Sequence, residues 1–94
     1  MKRSKSAKRI YLGPVLLNRQ PRSWIKKHRS FASKEWFEGH VRYGKWIREP
    51  NKPNYYRIYA EVLDGIKPIR VLIKIKYEGT HVLVFHAHII KSRI

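Results

Sequence analysis

Hydrophobic and polar positions alternate with period two through the second half of the chain. From Tyr55 to Leu63, Ile58, Ala60 and Val62 fall on one side and Arg57, Tyr59 and Glu61 on the other. That pattern predicts a strand with one buried face. Asp64-Gly65 is a turn dipeptide. Arg70 to Tyr77 alternates again, with Val71, Ile73 and Ile75 opposed to Arg70, Leu72, Lys74 and Lys76. Glu78-Gly79 marks a second turn. The run from His81 to Ile90 is apolar on both faces, which predicts a strand that is central or covered on both sides. Short turns between three strands predict an antiparallel meander.

The middle of the chain has helical spacing instead. Trp24, His28 and Phe31 predict a short helix over about 24 to 30, with Ser23 as its N-cap. Ser33 is placed to cap a second helix, whose buried stripe would be Trp36, Phe37, Val41 and Tyr43. Glu35 and Glu38 sit near its start, where the helix dipole favours negative charge, and Gly44 is a stop signal. Residues 10 to 17 are apolar but broken by Gly13-Pro14, so they read as an extended or edge segment. Residues 49 to 54 read as a loop. The expected class is α+β. A basic extended arm spans 1 to 20, and one domain spans 21 to 94. In that domain two short helices pack on a three-stranded antiparallel meander.

Charge turns this outline toward a partner. The 94 residues hold 22 Lys and Arg against 6 Asp and Glu, a formal net charge of +16. Charge of that density resists compaction, and a polyanion relieves it. No carboxylate precedes Glu35. Upstream of it lie Lys2, Arg3, Lys5, Lys8, Arg9, Arg19, Arg22, Lys26, Lys27, Arg29 and Lys34. Such a block cannot neutralise itself, and basic N-terminal blocks commonly lie along nucleic acid. Aromatic residues interleave with the cations: Trp24, Trp36, Tyr43, Trp46, Tyr55, Tyr56 and Tyr59. Rings stack on unpaired bases while Lys and Arg follow the backbone, so RNA is the expected partner. On the polar sheet face the expected contacts are Arg57, Tyr59, Lys74 and Lys76.

Other classes fall away. The chain has no cysteine, which excludes a disulfide framework and a thiolate metal site. No apolar run is long enough to span a bilayer, and the basic start lacks the apolar stretch of a signal peptide. The expectation is a cytoplasmic, non-catalytic RNA-binding protein without cofactor, contacting the ribosome or another ribonucleoprotein particle. A duplex-DNA protein of chromatin type is the alternative from charge alone. Few amides, one Met and no Cys lean toward a thermophilic source.

Two features bear on catalysis. His86 and His88 are two residues apart on a strand and share a face. They suit acid-base chemistry better than metal binding, since no third ligand is implied. Glu61 stands among cations, either as a general base or as an ordinary cross-strand partner of Arg70 or Lys74.

The stretches SKEWFEGHVRYG, YYRIYAEVLDG, RVLIKIK and HVLVFHAHIIK, with His28-Arg29 before them, resemble the small nuclease-toxin superfamily that includes RelE and BrnT. The likeness spans about residues 28 to 91. It implies a compact α+β protein and, in its catalytic form, metal-independent RNA cleavage. On that reading Arg57, Tyr59, His86 and Lys91 would be the matching sheet positions, with His28 and Arg29 from the helix and an acidic antitoxin as partner; joined with the carboxylate read from the strand pattern, the catalytic set of a nuclease would be Arg57, Tyr59, Glu61 and His86. The basic arm and the high net charge depart from the pattern and are similar to ribosomal proteins instead.

Overall fold

A computed structural model describes residues 10 to 90. Lys2, Arg3, Lys5, Lys8 and Arg9 of the expected arm, and Lys91, lie outside the described residues. The element order is β1 (Val15–Leu17), α1 (Arg19–Lys27), α2 (Lys34–Tyr43), β2 (Ile47–Arg48), β3 (Tyr55–Asp64), β4 (Lys67–Tyr77) and β5 (Val82–Ile90).

The sheet corrects the expected meander. It has five strands in the order β1-β5-β4-β3-β2 and is mixed: β1 runs parallel to β5, and the other pairs are antiparallel. Of the two additional strands, β1 comes from the segment read as extended or edge, and β2 lies just ahead of the residues read as a loop. Val15 is buried (4% exposed), so the short apolar run gains by lying beside β5, with Val15 in register with Val82. Pro14 sits just ahead of the strand, where its missing N–H is not needed, and its carbonyl accepts from Val82 N–H at 3.0 Å. The loop through Asn51 and Asn54, both at positive φ, folds Arg48 back against Tyr56.

The first helix starts earlier than its spacing suggests. Asn18, in extended conformation, is the N-cap, and Pro21 lies in the first turn. That position has no intrahelical N–H bond to lose, so Pro21 is tolerated there. The second helix matches its punctuation. Ser33 Oγ accepts from Trp36 N–H at 3.0 Å, and Gly44 is the C-cap.

Both helices cover one face of the sheet. Phe37 and Val41 of α2 and Trp24 of α1 pack on Ile58 and Ala60 of β3, Val71, Ile73 and Ile75 of β4, and Val82, Val84 and Ala87 of β5. No polar side chain is buried among the described residues. Arg42 of α2 donates to the carbonyls of Tyr11 (3.1 Å) and Gly13 (2.8 Å), which fixes the chain ahead of β1. Beyond the end of β1, Gln20 takes the strand's place, with its side-chain amide bonded to the Ala87 backbone. No helix among the described residues is long and apolar enough to cross a membrane.

One irregularity positions the functional face. Lys74 pairs with His86 while the next residue, Ile75, pairs with Val84, so Phe85 is an extra residue in β5. This is a β-bulge. Before it, Val82 and Val84 point to the helices; after it, Ala87 does. His86 and His88 therefore lie on the open face, beside Phe85. Had Phe85 paired regularly instead of bulging, the alternation continued from Val84 would have turned both histidines into the core.

Candidate nucleic-acid interface

Two surfaces gather the residues singled out by sequence. The first is α1 with the turn after it. Arg19, Arg22 and Lys26 recur at i, i+3 and i+7, so they form one stripe about 10 Å long. Lys27 borders it, and Arg29 follows in the turn. All five are exposed. Among the described residues no carboxylate is within ion-pair distance of any of them, and the first turn of α1 holds no acid. The helix can turn its polar side outward because Pro21, Trp24 and Ile25 hold the opposite side on the core.

Among the described residues five of the six carboxylates, all but Glu35, are engaged elsewhere. Glu38 pairs with Lys34, Glu49 with Arg57, Glu61 with Arg70, and Glu78 with Lys76. Asp64 accepts from the Ser30 hydroxyl at 3.1 Å. Thus most of the sheet-face charge is neutralised within the fold, while that of α1 is not.

The second surface is the open face of the sheet, whose register defines three rows. Arg57, Lys74 and His86 form one row across β3, β4 and β5. Tyr59, Leu72 and His88 form the next, and Glu61, Arg70 and Ile90 the third. Arg57 Nη1 donates to Tyr59 Oη at 3.3 Å, and its Nε lies 3.3 Å from Glu49 Oε2. That Nε is buried and no partner meets it with hydrogen-bond alignment, so the contact with Glu49 is ionic rather than directional. Lys76 has a carboxylate partner and stands over the Tyr55 ring at 5.3 Å. Among the described residues Lys74 has no acid partner. Tyr55 meets Phe85 edge-on at 5.6 Å, so an aromatic pair borders the first row on the side away from Tyr59.

His86 Nε2 and His88 Nδ1 are 2.8 Å apart, one donating and the other accepting. Burial, then His88, then Lys74 push the His86 pKa below its ordinary value. Among the described residues no group of three acidic, Cys or His side chains is placed to hold a metal.

The proposed catalytic set is divided by the register. Arg57, Tyr59 and His86 are neighbours. Glu61 lies two strands and four residues from His86, about 16 Å away by strand geometry. Arg70 Nη2 holds the Glu61 carboxylate at 2.7 Å, with Nε of the same side chain at 3.3 Å. Glu61 is therefore a cross-strand ion-pair partner. His28 stacks on Trp24 and Phe31, away from the open face, with ring centroids 4.4 and 5.8 Å apart. Trp24, Trp36 and Phe37 form an aromatic cluster, in which Trp24 and Phe37 are buried away from bases and Trp36 is half-buried. A hollow lined by Arg48 to Pro53 lies in the β2–β3 loop and gathers none of the predicted site residues.

Sequence reasoning missed Phe85 and Glu49 as parts of this face, and it put His86 and His88 on one face without saying which. Glu49 carried no signal, because its contact depends on the loop folding β2 back on β3. No protein-family model, curated protein or solved structure matches this chain.

Proposed function

We propose that this is a non-catalytic RNA-binding protein, a component of the ribosome or of another ribonucleoprotein particle, that contacts phosphate mainly through α1. The observation that carries this reading is the set Arg19, Arg22, Lys26, Lys27 and Arg29, exposed together with no acid partner among the described residues. Unpaired cations on a rigid helix release counterions when they meet phosphates, and that release drives association. The arm cations Lys2, Arg3, Lys5, Lys8 and Arg9 extend the same chemistry. Rings on the open sheet face favour RNA with unpaired segments over duplex DNA. The reading places the protein in the cytoplasm with its RNA, and it requires no cofactor.

A metal-independent ribonuclease would need Glu61 and His86 about one phosphate, and their separation argues against it. The test is binding of a structured RNA by the full chain, in EDTA, with cleavage followed on gels. Tight binding that weakens steeply with salt is expected, with the RNA intact. Arg22→Glu/Lys26→Glu should weaken it at least tenfold. Unchanged affinity in that variant, or RNA cut by the wild-type chain, would overturn the proposal.

A further inference from the structure

The open sheet face carries a feature that stability does not explain. Arg57, Lys74 and His86 stand side by side in one cross-strand row. Like charges directly opposite one another are unfavourable. Among the described residues only Arg57 of the three has a carboxylate beside it. The bulge at Phe85 is what brings the third basic group into the row. Bulges that re-aim side chains recur next to functional sites.

The row is flanked by rings along the strand direction. Tyr59 lies two residues beyond Arg57, about 7 Å on, and is 40% exposed. On the other side are Tyr55 and Phe85, edge to face. Arg57 reaches Tyr59 Oη through Nη1 only, so Nη2 is left facing solvent without a partner among the described residues. Cations between aromatic rings, on a flat sheet, match the alternation of phosphate and base in an unpaired strand.

We propose that this face is a second, distinct site that holds one unpaired RNA nucleotide, its phosphate between Arg57, Lys74 and His86 and its base on Tyr59. The proposal rests on the RNA-binding reading and specifies a ligand that the α1 stripe does not. Binding at this site strengthens on acidification. A bound phosphate favours the charged imidazole of His86, which can then donate to phosphate through Nδ1 while His88 remains its partner on Nε2. The groups facing His86 are Lys74 and, beyond it, Arg57 with Glu49; His88 on its own strand; and the Arg70–Glu61 and Lys76–Glu78 pairs to either side. The two outer pairs are internally neutral, so Lys74 and His88 set the charge that His86 meets.

The probe is tetrauridylate, too short to fold, with inorganic phosphate and a structured RNA as separate arms. Imidazole signals of His86 and His88 are followed by NMR on the full chain during titration. With tetrauridylate they should move saturably, and affinity should rise several-fold from about pH 7.5 to about pH 5.5. Tyr59→Ala and Lys74→Ala should each weaken tetrauridylate about tenfold. Lys45→Ala, an exposed cation elsewhere, should change it less than about twofold. His86→Gln should remove the pH dependence.

Histidine signals that stay still, or an unchanged pH dependence in His86→Gln, would overturn the site. Inorganic phosphate that binds as tightly as tetrauridylate would also overturn it, because the base would then contribute nothing. If structured RNA still binds in any of these cases, the sheet site falls and the RNA-binding reading survives. If the chain binds neither RNA, both fall.

Discussion

Gln20 and Ala87 are joined as two strands would be: the Ala87 N–H donates to Gln20 Oε1, and Gln20 Nε2 donates to the Ala87 carbonyl, each at 2.8 Å. The side chain thereby continues the β1 ladder past Leu17 and closes an edge that β5 would otherwise expose. Gln20→Ala leaves two backbone groups without partners and should cost about 1–3 kcal/mol in urea unfolding. Gln20→Glu should cost at least as much, because one carboxylate oxygen would then face the Ala87 carbonyl.

Ser33 is the N-cap of α2, and its hydroxyl satisfies the Trp36 N–H. Ser33→Ala should destabilise the fold by about 1 kcal/mol, and Ser33→Asp should retain most of the stability. Equilibrium denaturation of the three proteins checks the order.

Phe37 is fully buried, against Trp24 and Trp36. Phe37→Ala should remove about 3–5 kcal/mol, a large share of the stability of a domain this small. Thermal unfolding followed by tryptophan fluorescence reads this directly, since two indoles lie against the vacated space.

Stability should fall on mild acidification. Burial holds the pKa of His40 below the ordinary value of 6.5, and burial, then His88 and Lys74, does the same for His86. A histidine whose folded pKa is depressed binds fewer protons folded than unfolded, so stability rises with pH. The contribution is present above the unfolded value of 6.5 and is lost as pH drops below it. Urea midpoints at about pH 7 and about pH 5 should show this loss, and His40→Gln should shrink it. Equal midpoints at both pH values would contradict the assignment.

Deleting residues 2 to 9 removes Lys2, Arg3, Lys5, Lys8 and Arg9. If these cations lie on phosphates, the slope of log affinity against log salt should become shallower by about three to four units. The same RNA, titrated at four salt concentrations, gives both slopes.

Local chemistry was legible in the chain, and long-range pairing was not. The Ser33 cap, the Gly44 stop and the alternation through β3 and β4 follow from side chains a few residues apart. The return of Val15–Leu17 to β5 depends on a partner nearly seventy residues away, and no turn signal announces it. Ser23 looked like a helix cap because Pro21 precedes it, yet Pro21 fits inside the first turn, and Asn18 takes the cap position. In the site, the shared polar face of Arg57 and Lys74 followed from strand patterning, while their pairing in one row comes from the register. The place of His86 in that row did not, because a bulge leaves no mark on composition. Glu61 had two sequence readings, and the register with Arg70 selects the ion pair.

The extra residue in β5 also bears on how the chain tolerates changes in length. Val84 and His86 already face Ile75 and Lys74. A chain lacking Phe85 would therefore join them directly and keep Ala87 inward and both histidines outward. A residue gained in β5 beyond the bulge has no such reserve: it would exchange Ala87 for an imidazole against the helices. Among its descendants, this strand is free to shorten by one and is held against growing.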